Sequence, residues 1–170
     1  MRSRWAVRLA CCVLTDAVAA AALPTSTEAP RRASLTSRDA AAVERARDDA
    51  TRRLENASCR KVFSDFHDVL GRTMERDLES WAMGPAEYLR MLPFVDGSGE
   101  PLCHRSNVML VSTPGVPRVI VCPGFARLQR SEPGAAANRV IHELLHTLGL
   151  GENPPTSGEI TRRVEIRCGW

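Results

Sequence analysis

The chain of 170 residues lacks an apolar run long enough to span a bilayer, and it carries little net charge, formally +3. The first absence excludes a permanent transmembrane anchor, which needs about 20 consecutive apolar residues. The second argues against a nucleic-acid partner, which leaves a basic footprint. No internal repeat is visible, so solenoid architectures are excluded, and the length suits one domain with terminal extras. Cysteines never occur in the closely spaced pairs of a four-cysteine zinc site, which excludes that form of structural metal.

What is present begins with an export pattern. Arg2, Arg4 and Arg8 precede the apolar stretch from Leu9 to Leu14, and Ala17 to Ala22 offer small-residue cleavage sites. Removing residues 1–22 takes away three Arg and one Asp and leaves a formal charge of +1. It also removes Cys11 and Cys12, so that Cys59, Cys103, Cys122 and Cys168 remain. An even number in an exported chain predicts two disulfides, with three pairings possible. The expected location is secreted or periplasmic, with no stable membrane insertion after cleavage.

Residues 23–36 are rich in Pro, Ser and Thr and are expected to be a flexible linker. Residues 37–58 are dense in Ala, Arg, Glu and Asp, with Val43 and Leu54 the only large aliphatics. Ser37 can cap a helix here, and so little apolar surface predicts light packing or partial disorder. From Cys59 onward a folded domain over 59–170 is expected. Val62, Phe63, Phe66, Val69 and Leu70 recur at helical spacing and predict an amphipathic helix. Leu78 to Leu92 continue a helical region, broken at Gly84-Pro85. The β-rich runs 107–112 and 118–122 flank Thr113-Pro-Gly-Val-Pro117 and predict a hairpin. That hairpin brings the segment around Cys103 near Cys122, favouring Cys103–Cys122 and leaving Cys59–Cys168. A loop through residues 131–134 leads to a strong helix from Ala135, ended by Gly149 or Gly151, and a last short helix runs to Cys168. The predicted class is α+β.

The stretch 141–155, IHELLHTLGLGENPP, places two histidines and two glutamates among leucine and glycine. An unpaired polar group in a buried helix costs a few kcal/mol, roughly 2–7, so these groups need a purpose. His142 and His146 are four apart and share a helix face. Their imidazoles can converge on one Zn²⁺. Glu143 is rotated about 100° from His142, beside the metal, where it can act as general base toward a water whose pKa zinc lowers to roughly 7. Gly149 permits a turn that folds the chain back, and Glu152 lies three residues beyond it.

In the spacing H142-E-x-x-H146-x-x-G149-x-x-E152 the chain resembles the zincin metallopeptidases, over roughly residues 105–152. The motif looks like the extended metzincin form with Glu152 in place of the third histidine, and snapalysin-type relatives carry a carboxylate there too. The resemblance implies His142, His146 and Glu152 as zinc ligands, Glu143 as general base, a small zincin-like core and a peptide or protein substrate. It also implies a strand edge that holds the substrate as an added strand, for which Arg118–Cys122 is the candidate. No methionine follows Met109, so the metzincin Met-turn has no counterpart here. A gluzincin-like site with Glu165 or Glu159 on the next helix therefore stays open. The function expected is an exported zinc metalloendopeptidase. The alternative is a zinc-stabilised, catalytically silent peptide-binding module of the same fold. His67, His104 and Tyr88 are expected outside the site.

Overall fold

The computed structural model describes residues 34–169. The expected signal segment, most of residues 23–36 and Trp170 lie outside the described residues. The class is α+β, with helices around a small mixed sheet. No described helix is long and apolar enough to cross a membrane.

Helix α1 (Ser37–Leu54) starts one residue earlier than its sequence suggests, because Thr36 caps it by accepting the Asp39 N–H at 3.1 Å. The expectation of light packing is wrong. Ala42, Val43, Ala46, Ala50 and Leu54 lie mostly at three- and four-residue spacing and are buried in the main core, where α1 meets helices from later in the chain. Alanine contributes little area per residue, yet its small size lets another helix approach closely. Two polar side chains extend the contact. Arg45 Nε donates to Gln129 Oε1 at 3.2 Å, and Arg53 Nη1 reaches Asn138 Oδ1 at 2.9 Å and the Cys168 carbonyl at 3.2 Å.

The amphipathic helix expected after Cys59 is replaced by two single turns, α2 (Ala57–Arg60) and α3 (Val62–Asp65), and then a loop. Val62 and Phe63 are buried, but Val69 and Leu70 are 88% and 72% exposed. Asp68 is the physical reason. Its Oδ1 accepts the N–H groups of Leu70 and Arg72, both at 2.8 Å, which a continuing helix would need. Gly71, at φ +75°, closes the turn. Helices α4 (Met74–Ser80) and α5 (Pro85–Met91) follow, separated at Gly84-Pro85 as expected.

The sheet has the order β1-β3-β2. Strands β2 (Leu110–Val111) and β3 (Val119–Val121) pair antiparallel with Leu110 opposite Val121, the expected hairpin. Strand β1 (Phe94–Asp96) pairs parallel to β3 and was not visible in the sequence. Its addition makes β3 central and fully buried, which suits its unbroken apolar run. Arg118–Cys122 is therefore not an edge. The edges of this sheet are β1 and β2.

The segment after β3 contains a further helix, α6 (Phe125–Ser131), where the sequence suggested only a loop. Helix α7 (Pro133–Thr147) begins with Pro133 at its first position, and α8 (Ser157–Cys168) begins in a capping box between Thr156 and Glu159. Both expected disulfides are present. Cys59–Cys168 joins α2 to α8 with Cα atoms 4.3 Å apart, and Cys103–Cys122 joins the 3₁₀ helix Pro101–His104 to the end of β3 at 5.0 Å.

Candidate metal centre

The last two turns of α7 are buried on every side, including His142, Glu143 and His146. How the helix ends decides what the histidines face. Gly149, at φ +109°, donates its N–H to the His146 carbonyl at 2.8 Å, and Leu150 donates to the Leu145 carbonyl at 3.2 Å. These are the paired bonds of a Schellman turn, with Leu145 and Leu150 both buried as its apolar contact. The Gly115 N–H, from the β2–β3 loop, also reaches the His146 carbonyl at 2.9 Å and fixes this end from outside.

The reversed chain then serves the histidines twice. The Leu150 carbonyl lies 2.7 Å from His146 Nδ1, and Glu152 Oε1 lies 3.2 Å from His146 Nε2 and 3.5 Å from His142 Nε2. The two Nε2 atoms are 3.0 Å apart. A carbonyl can only accept, so Nδ1 of a neutral His146 carries its proton and Nε2 presents a lone pair. Burial pushes His142 down to about 4, with the charges of His146 and Arg139 adding to it, so its ring is neutral at pH 7. The Glu152 carboxyl is raised by burial, but the Ser157 hydroxyl and the two histidines outweigh this and hold it below its ordinary value. One proton on His142 Nε2 can serve only one of these contacts. A cation at their centre serves all three, and these donor atoms lie within 4.8 Å of one another. The residues fit a metal ion.

Glu143 is buried against the same cleft, and burial pushes its carboxyl up to about 7. The Ser112 hydroxyl faces this carboxyl without closing a hydrogen bond to it. The cleft, of about 620 Å³, is walled by β2 and its flanks on one side and by α8 on the other. Among the rival ligands, Glu165 lines the cleft but does not join the converging donor atoms. Glu159 is occupied, its Oε2 accepting the Thr156 N–H at 2.7 Å in the capping box. His67 and His104 are exposed and away from the site, and Tyr88 packs on Trp81 beside a different pocket.

Three groups escaped the sequence reading. Thr161 Oγ1, on α8, lies 3.1 Å from His142 Nδ1 and also accepts from Arg139 Nη1 at 3.2 Å. Ser112 arrives from the sheet. Arg139 had a signal, since it precedes His142 by three residues and shares its face. Thr161 and Ser112 had none. No protein-family profile, curated protein or solved structure matches this chain.

Proposed function

We propose that the chain is an exported zinc metallopeptidase. The observation that supports this most is the convergence of His142 Nε2, His146 Nε2 and Glu152 Oε1 in a cleft that also holds the Glu143 carboxyl. Two imidazoles and one carboxylate are the donor set of hydrolytic zinc sites, which leave a fourth position open. No fourth protein donor joins this group among the described residues. When bound, zinc would polarise a scissile carbonyl and bring water within reach of a carboxylate base.

The chain's own residues supply the rest. Glu143 takes the proton of the attacking water and returns it to the leaving amine, so that one C–O bond forms as the C–N bond breaks. Thr161 and the Leu150 carbonyl hold the two imidazoles by Nδ1, which keeps Nε2 directed inward. The β2 edge, which borders the cleft, offers unpaired backbone groups to an extended substrate. Two disulfides are consistent with export to an oxidising compartment.

Metal analysis and peptide hydrolysis by the purified protein test this. We expect one zinc per chain, and hydrolysis that a chelator abolishes and zinc restores. A zinc-loaded, folded protein that cleaves no peptide in a diverse library would defeat the peptidase reading, and a protein that binds no zinc would defeat the metal.

A further inference from the structure

Around the metal-binding atoms the cleft is charged, and its charge is unbalanced. Glu152 and Glu143 are committed to metal and proton transfer in the reading above. Of the other ionised groups lining the cleft, Arg105, Arg139 and Arg162 stand against one carboxylate, Glu165. They come from different directions: Arg105 follows the 3₁₀ helix that Cys103–Cys122 ties to the sheet, Arg139 lies on α7, and Arg162 lies on α8. The cations therefore face the cleft from both walls.

None of the three makes an ion pair among the described residues, although many of the chain's other arginines do. Arg139 is the most informative. It is half-buried, its one side-chain hydrogen bond among the described residues is to the neutral Thr161 hydroxyl at 3.2 Å, and the Glu143 carboxyl feels its charge without forming an ion pair with it. Arginine is rarely withdrawn from water without an anion, and its planar fork of five donors suits a carboxylate. Arg105 and Arg162 are exposed, and although Arg162 lies in the field of Glu159 on the same helix, neither is held by an ion pair among the described residues.

We propose that this cleft selects peptides bearing a carboxylate close to the bond that is cut, held by Arg139 with Arg105 and Arg162. The inference rests on the reading above twice, on its metal and base for the surplus of cations and on peptidase action for the word "cut". A carboxylate has two sources in a peptide, an acidic side chain and a free C-terminus, and the experiment separates them.

Labelled peptides of one length are titrated against the full chain carrying Glu143→Gln, zinc-loaded, by fluorescence anisotropy. One peptide holds a central Glu and an amidated end, a second Gln, and a third Lys. A fourth holds Gln with a free carboxyl end. We expect the Glu peptide to bind about 10- to 100-fold more tightly than the Gln peptide, the range of one charge-assisted contact. The advantage should shrink in high salt. Arg105→Glu with Arg162→Glu, both at exposed positions, should remove most of it, with circular dichroism confirming the fold. Arg139→Gln adds a second measure. Tighter binding of the fourth peptide instead would assign the site to a C-terminal carboxylate. Equal or absent binding of the carboxylate peptides, or a preference that survives the charge reversals, overturns the proposal. Cleavage of the same peptides by the unaltered chain is scored in parallel. Charge-selective binding without cleavage would remove the peptidase reading and leave the cleft's selectivity standing. Cleavage without charge preference would do the reverse.

Discussion

Helices α1 and α7 pack against each other and handle ionisable groups in opposite ways. Helix α1 is dense in charge, yet what it buries is mainly methyl groups. Apart from Arg45 and Arg53, which reach inward to Gln129 and Asn138, its acids and bases sit toward the outer face in short-range pairs such as Arg47–Glu44 at 2.6 Å and Arg52–Asp49 at 3.3 Å. Helix α7 has few ionisable groups and buries most of them, His142, Glu143 and His146. Charge on α1 remains hydrated and costs little. On α7 it is withdrawn from water, and only partners that converge from the next turn and from α8 make that arrangement tolerable. Abundance of charge thus marks a scaffold here, and scarcity of charge marks a site.

The comparison can be broken most decisively at the α7 histidines. His142→Ala and His146→Ala should each remove stoichiometric zinc and all peptidase activity. Full zinc occupancy in both, measured by elemental analysis, would mean that the buried donors have another purpose. Glu152→Gln should weaken zinc by more than the roughly 10–100-fold typical of an outer-shell partner, with activity falling in step. Glu165→Gln is the control and should leave zinc in place. The opposite pattern would move the third ligand to α8. Glu143→Gln should separate chemistry from binding, keeping zinc while turnover falls about 10²–10⁴-fold. Loss of zinc together with turnover would make Glu143 a ligand.

A smaller effect sharpens the α1 side. Ala46→Leu inserts three carbons where the side chain is fully buried and should destabilise by about 1–3 kcal/mol. Glu44→Gln on the outer face should change stability by no more than about 0.5 kcal/mol. Urea denaturation of both proteins checks this, and similar values for the two would deny α1 its place in the core.

A pH-dependent effect concerns Asp65, whose carboxylate accepts from Arg167 Nε and Nη2 at 2.7 and 2.8 Å. The Arg167 bond holds its carboxyl below the ordinary range. A native value below the unfolded one gives stability that is present above pH ~4 and is lost as pH falls through the native value. Asp65→Asn should therefore cost about 1 kcal/mol at pH 7 and progressively less toward pH 2. A gap that stays constant with pH would show that packing, not charge, accounts for it.

Much of this was legible in the sequence, because local signals were strong where they existed. The apolar run through Leu145 and the glycine stop set α7. The Pro-Gly turn at 114–115 set the hairpin, and the hairpin in turn set the Cys103–Cys122 pairing. The burial of α1 was missed because alanine registers weakly on any apolar scale, and its contribution depends on the partner helix. The loop at Asp68 was missed because side-chain competition for backbone N–H groups leaves the apolar spacing of Val69 and Leu70 unaltered. Strand β1 has only three residues, and its parallel partner is more than twenty residues away, so no local pattern announces it. Sequence separation likewise hides Ser112 and Thr161 from the motif they adjoin.

The Schellman turn at Gly149 has a consequence for folding order. All three converging donors lie within residues 142–152, so bringing them together closes a short loop, and loop-closure entropy rises with the logarithm of loop length. An ion held there would secure the end of a single helix and the reversal after it, without waiting for α1, the sheet or either disulfide to find its place. Assembly of the cleft is a different matter, since Thr161, Ser112 and Arg105 reach it only when distant segments dock. On the proposed reading, metal capture would need only the local reversal after α7, whereas substrate recognition would need the finished fold.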